Sequence, residues 1–322
     1  MTYPAVSKYV LIGKETTWGT KVPATKDVGL IISDVTNTIT REVIQSLGIS
    51  SITAQKITTG ITDPEVTISG DFQHGRLLEL IFGNVSHVSA APETTHTFLT
   101  DDNVTSLTIE VGNDLTTDTV LQTNGCIAES AELSIALNEN LKLSTTFKGK
   151  NVSSTTSASS AVLSTLAVFP HALCGVALAG VTASEIQSAS INIAKTIERS
   201  GGVGSNEYQQ GHPTEMKFDF SANLGFTDNA FHKLFMVGVN AAGDAVTAIT
   251  TADPTGTDFV IHAGNDLAAG AGGRQVHLAL KSCQYNNFTE TTSVGGLTFI
   301  DVSGSGLIDS CFSIDDISTA SW

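Results

Sequence analysis

Ala131-Glu-Leu-Ser-Ile-Ala-Leu-Asn-Glu-Asn-Leu-Lys-Leu-Ser-Thr-Thr-Phe147 reads as one β-hairpin. Ala131, Leu133, Ile135 and Leu137 fall on one face, and Glu132, Ser134 and Ala136 on the other. After Asn138-Glu-Asn140 the alternation resumes with Leu141, Leu143 and Phe147 against Lys142, Ser144 and Thr146. A period of two on both sides of a polar turn predicts two half-buried strands, each with an apolar and a wet face. Val66, Ile68 and Gly70 alternate likewise, as do Ala189, Ile191 and Ile193.

Outward from this hairpin, the chain reads as two copies of one pattern. Thr105-Ser-Leu-Thr-Ile-Glu-Val-Gly-Asn-Asp-Leu115 matches Thr257-Asp-Phe-Val-Ile-His-Ala-Gly-Asn-Asp-Leu267 at six of eleven positions, 152 residues apart. A Cys follows each copy, Cys126 and Cys283. Looser matches keep the same order: Asn37 to Glu42 with Asn192 to Arg199, Glu65 to Phe72 with Glu215 to Ala222, and Leu141 to Ser144 with Leu297 to Ile300. Their offsets drift only between 150 and 157. Ordered matches of this kind indicate an internal duplication. The expected domains are residues 1–150 and 169–322, joined by a Ser/Thr-rich linker at 151–168.

Each copy is expected to be mainly β with one short flanking α-helix, as a β-sandwich or barrel. Gly75 to Phe82 ends at Gly83, which suits a left-handed helix stop. In the second copy Thr227-Asp-Asn precedes the run Ala230 to Val237, and Gly238 follows.

Composition narrows the function classes. Charged residues are 15% of the 322, well below the usual ~25%. Lys and Arg number 16 against 32 Asp and Glu, a net charge of −16. That balance argues against a phosphate-gripping groove, because such binding depends on cations. The four Cys form no CxxC pair, so they read as small buried hydrophobes. The longest apolar run, Ala172 to Val181, is broken by Gly175 and Gly180, so no transmembrane helix is expected.

Chemistry is sparse. The eight His are dispersed, without metal-binding spacing, and no Gly-x-Ser-x-Gly elbow occurs. Gly201-Gly-Val-Gly204 and Gly270-Ala-Gly-Gly273 lack the Lys-Ser/Thr that closes a phosphate loop. The pair Asp315-Asp316 lacks a calcium-loop framework. No catalytic residue, cofactor or metal ligand is nominated, and no enzyme is expected.

Lys8-Tyr-Val-Leu-Ile-Gly-Lys-Glu-Thr-Thr-Trp-Gly-Thr20 resembles the opening of tail tube proteins of long-tailed bacteriophages and related archaeal tailed viruses, with its Gly-x-Glu-Thr-x-x-Gly-Thr element. Gly125-Cys-Ile-Ala-Glu-Ser130, followed by the alternating hairpin, is also similar to that family. The second copy lacks the opening motif, and Ser282 precedes its Cys283. The resemblance implies a β-sandwich with a flanking helix whose copies close into rings by joining strands edge to edge. It implies rings stacked into a tube within the virion tail, assembled from protein made in the host cytoplasm. With a doubled domain, it implies a homotrimeric, pseudo-hexameric ring.

Physical arguments fit that expectation. A closed ring pairs every sheet edge. Six domains of about four strands give a bore of ~24, wider than the ~16–18 strands that enclose an aqueous channel. Carboxylates lining it repel phosphates over a Debye length of ~8 Å, so duplex DNA passes without specific binding. Glu65 and Glu132 are the lumen candidates, each lying opposite a strand's apolar face. The inter-ring candidates are the arm from Tyr3 to Lys8, the stretch Gly48 to Gly60, its counterpart Gly201 to Gly211, and the Ser/Thr linker. Expected partners are further copies of this chain and other tail proteins, without membrane insertion. Competing expectations are a distal tail or baseplate hub ring and a tandem β-sandwich module binding at a cell surface.

Overall fold

In the computed structural model, described residues are 8–47, 49, 53–90, 93–101, 106–113, 119–157, 159, 164–178, 186–225, 258–264, 274–292 and 298–315. These are mostly strand. The first half contains β1 (Lys8–Lys14), β2 (Lys26–Asp27), β3 (Leu30–Leu47), β4 (Ala54–Phe72), α1 (Arg76–Phe82), β5 (Gly83–Ala90), β6 (Glu93–Thr100), β7 (Leu107–Asn113), β8 (Thr119–Ala136), β9 (Lys142–Lys148) and β10 (Asn151–Thr155). The second contains β11 (Cys174–Leu178), β12 (Ile186–Gly201), β13 (Tyr208–Gly225), β14 (Phe259–Gly264), β15 (Gln275–Thr292) and β16 (Thr298–Asp315). All pairings are antiparallel, and the strands join into one sixteen-stranded sheet.

The anticipated hairpin is β8–β9, with Leu133 opposite Leu143. Asn138 takes φ 64° in its turn, a left-handed position that Asn tolerates. Ala131, Leu133, Leu141, Leu143 and Phe147 are buried as the alternation requires. Leu137 departs from it: β8 ends at Ala136, and Leu137 is exposed in the turn.

The helix over residues 76–82 is present and wholly buried, with Leu77, Leu78, Ile81 and Phe82 in the core. Each such side chain contributes ~1.5–3 kcal/mol through removal from water. Gly83 closes α1 in the left-handed region at φ 98°, a position that costs glycine little. The anticipated second helix, 230–237, lies outside the described residues.

Strand pairing follows the same order in both halves. The first runs β1-β7-β8-β9-β4-β3, and the second β11-β14-β15-β16-β13-β12. Irregularities coincide as well. β3–β4 shifts register at Ile32/Asp34, Arg41/Val43 and Ser46/Leu47, and β12–β13 at Ile186/Ser188, Thr196/Ile197 and Ser200/Gly201. The pairs Ile39↔Pro64 and Ile193↔Phe218 stand 154 residues apart. Bulges twist and bend a strand, so their positions are structural features. Gly125 and Ser282, each immediately before a Cys, both have positive φ, 66° and 53°.

The sheet continues across the midpoint of the chain. β12 pairs with β8, Ala189 opposite Ile135 and Ile191 opposite Leu133. The β5–β6 hairpin reaches the far end of β16, where His96 Nε2 lies 3.1 Å from the buried carboxylate of Asp315. One cluster of buried apolar side chains includes residues from both halves. The segment that composition marks as a linker begins as a strand: β10 pairs with β8, Asn151 opposite Asn124.

Candidate functional site

The Gly-x-Glu-Thr-x-x-Gly-Thr element folds around the buried carboxylate of Glu15, which directly follows β1. Glu15 Oε2 accepts from Gly19 N at 2.8 Å and Ser106 Oγ at 2.9 Å, and Oε1 from Thr108 Oγ1 and Gly125 N at 2.9 Å. Trp18 Nε1 donates to Gly125 O at 3.1 Å, and Asn124 Nδ2 to Gly19 O at 2.6 Å. The Lys150 ammonium lies 5.1 Å above the Trp18 ring. The two stretches singled out in the sequence are thus one assembly, held by charge-assisted bonds that are stronger than neutral ones. It is a structural brace: every donor around Glu15 belongs to the fold.

Glu110 on β7 is a second buried carboxylate, receiving Gln122 at 2.7 Å, Tyr9 at 3.0 Å, and Ser159 through both N–H and hydroxyl at 2.8 Å. Burial alone would raise its pKa, but these donors prevail and hold it below the usual value. Ser159, beyond β10, is thereby fastened to the first half.

The candidate surface is the wet face of the sheet. Facing outward are Glu65, Thr67 and Ser69 on β4; Thr146, Ser144 and Lys142 on β9; and Ser130, Glu132 and Ser134 on β8. Asn192 and Ser190 on β12, Asp219, Ser221 and Asn223 on β13, and Ser305, Ser303 and Asp301 on β16 continue it. One row runs Asp34, Ser69, Ser144, Glu132, Asn192, Asp219, Ser305 across seven strands. It passes from one half to the other at Glu132–Asn192 without a break.

Small hydroxyl and amide groups on this face satisfy one another. Thr67 and Thr146 hydroxyls lie 3.1 Å apart, Ser190 and Ser221 2.9 Å, and Asn223 donates to Asp301 at 2.6 Å. Carboxylates (Asp34, Asp63, Glu65, Asp71, Glu132, Glu215, Asp219, Asp301) outnumber the cations that reach it, Lys142, Lys148, Lys217 and Arg199, the last through Asp63. The face is therefore largely polar and net negative.

The two lumen candidates share this face but differ in electrostatics. Glu132 is exposed between Ser144 and Asn192. Glu65 is ion-paired with Lys148, which also lies 3.7 Å from Glu129. Burial pulls the Lys148 pKa down, but Glu65, Glu129 and Asp63 outweigh it and raise it. Asp219, Asp301 and Asn192 lie on the same face, and their alternation with apolar neighbours in the sequence is the same signal that marks Glu132.

Of the inter-ring candidates, Tyr3 and Gly48 lie outside the described residues, and Lys8 opens β1. Gly60, Gly201 and Gly211 are strand residues, in β4, at the end of β12 and in β13. Much of both stretches is therefore strand: bulged pairing carries β3–β4 to Leu47↔Ala54 and β12–β13 to Gly201↔Tyr208. The β12–β13 tip rests on the first half, with Arg199 holding Asp63 at 2.7 and 3.1 Å and Asn206 O accepting from Thr62 N at 2.9 Å.

Two clefts beside β11 measure about 220 and 280 Å³, smaller than the ~300–1,000 Å³ of small-molecule sites. Among the described residues, no three His, Cys, Asp or Glu side chains converge as metal ligands. All four Cys are free, and three are buried. Among the described residues, no helix is long and apolar enough to cross a membrane.

A family model described as phage tail tube protein matches residues 7–302. No curated protein matches the chain.

Proposed function

This chain belongs to the phage tail tube protein family, a structural component of the virion tail, and from that premise we propose that it polymerises into stacked rings whose bore carries viral DNA. Each ring holds three copies, and each copy supplies two tail-tube-like β units at pseudo-sixfold positions. The common strand order and the matching bulges of the two halves support reading them as copies of one domain. Other tail proteins bind the ends of the tube.

The observation that carries this reading is the uninterrupted polar face running through the β8–β12 junction. A bore must be continuous between units, wettable, and without affinity for its cargo. Ser, Thr and Asn wet it, and the surplus carboxylates repel phosphates within roughly a Debye length of ~8 Å. Pairing of Glu65 with Lys148, Asp63 with Arg199 and Glu215 with Lys217 leaves Asp34, Asp71, Glu132, Asp219 and Asp301 as the carboxylates that set the field.

Negative-stain microscopy of the purified protein, with mass measured per ring, tests the reading. Hollow filaments with three chains per ring are expected. Six chains per ring would refute the trimer, and monomers under all assembly conditions would refute the tube.

A further inference from the structure

We propose that β3 of one copy pairs antiparallel with β15 of the next copy, Thr36 opposite Thr291, Thr38 opposite Thr289 and Thr40 opposite Asn287. The inference deepens the ring reading and rests on it.

The junction inside the chain is the template. There β12 takes β8 as its second neighbour, with Ser190↔Ser134, Asn192↔Glu132 and Ala194↔Ser130. β12 corresponds to β3 at a spacing of 154, fixed by Ile39↔Pro64 and Ile193↔Phe218. β8 corresponds to β15 at 157, fixed by Leu133↔Leu143 and Glu290↔Ile300 and by the bulges at Ala128/Ser130 and Tyr285/Asn287. Transferring the junction by these spacings gives the register above.

Burial shows which strand awaits a cover. On β12, Ala189, Ile191 and Ile193 are 4%, 0% and 2% exposed. On β3, whose described pairing is with β4 alone, Ile39 is 47% exposed. The proposed register sets Ile39 against Phe288, where the intrachain junction sets Ile193 against Ala131. The same transfer lays the β3–β4 tip, with exposed Val43, Ile44, Leu47 and Ile57, on the next copy, as the β12–β13 tip lies on Thr62 and Asp63.

One position makes the junction between chains unlike the one within. Ile191 faces Leu133 inside the chain, but the corresponding residues are Asn37 and Glu290. Opposite Glu290, the Asn37 side-chain N–H can donate to the carboxylate. On β8 it would meet Leu133 instead, so the polar pair selects both partner and register.

Disulfide trapping and hydrogen exchange test this together. Thr38→Cys/Thr289→Cys and Thr36→Cys/Thr291→Cys should each yield covalent dimers and closed trimers on oxidation of assembled protein. The offset pair Thr38→Cys/Thr291→Cys should yield about tenfold less, because Cβ atoms directly opposite lie ~4.5–5.5 Å apart and diagonal ones ~7–8 Å. In the unmodified chain, the alternate amides of Val35–Thr40 that point away from β4 should gain exchange protection on assembly. Rings that form with those amides unprotected, or with the offset pair trapped preferentially, overturn the register and leave the tube intact. Absence of any ring overturns both.

Discussion

Glu15 Oε1 receives the backbone N–H of Gly125 at 2.9 Å, joining positions 110 residues apart. Around that bond the first turn after β1, the start of β7 and the bulge of β8 become one unit. Glu15→Ala leaves the donors of Gly19, Ser106, Thr108 and Gly125 without it. Hydrogen bonds to a charged group are worth about 1.5–3 kcal/mol each, and their losses are not additive. A destabilisation of about 3–5 kcal/mol in urea unfolding is therefore expected. Glu15→Gln should lose less, because one carbonyl oxygen still accepts. Trp18, bonded to Gly125 O, provides the fluorescence signal.

The bulge residues Gly125 and Ser282 predict opposite outcomes for mirror-image substitutions. Ser282 at φ 53° carries a side chain in the left-handed region, which costs roughly 1 kcal/mol. Ser282→Gly should raise stability by up to about that amount. Gly125→Ser should lower it by more, since a Cβ there would meet Lys150 Cβ at 2.6 Å. Equal effects at the two sites in chemical unfolding would contradict this account.

Lys195 on β12 points to the core face, 8% exposed, and burial pulls its pKa down to about 8. The folded value lies below the unfolded one of about 10.4, so folding expels a proton between them and stability rises with pH across that window. Below pH 8 the penalty is fully present. Lys195→Met should stabilise the protein by about 2–3 kcal/mol at pH 7, and the advantage should fade as pH approaches ~10. A gain that does not change with pH would assign the effect to packing.

Glu132→Lys should leave folding and ring formation intact, because the side chain is exposed between Ser144 and Asn192. It places six cations on a bore of three pseudo-sixfold copies only if the counterpart Thr289 is also changed to Lys, so the single and double variants form a graded series. DNA delivery by reconstituted particles should fall along that series, with partial recovery as salt screens the attraction. Loss of assembly in the single variant would make Glu132 structural.

Several features were legible locally. The alternation from Ala131 to Phe147 encodes β8–β9, and Gly83 marks the end of α1. The same period of two puts Glu132 and Glu65 on the wet face. The match of Glu65 with Glu215, by contrast, implies a spacing of 150, whereas the strands correspond at 154. Side chains on a solvated face diverge freely, and the bulges that fix register leave little mark in composition. The glycines at 60, 201 and 211 look like loop residues in sequence but sit within or at the end of long bulged strands.

Local period and turn chemistry therefore determined the strands, their faces and the helix stop, while the resemblance of two short motifs pointed to the family. Tertiary structure decided which faces meet. Lys148 neutralises Glu65 from 83 residues away, Glu15 gathers donors from three separate segments, and β12 rather than solvent covers the edge of β8. Alternation is written residue by residue, because each side chain's face depends only on its place in the strand. Partnership between strands depends on where bulges reset the register and on which edges remain to be covered. Those quantities exist only once the whole chain has folded.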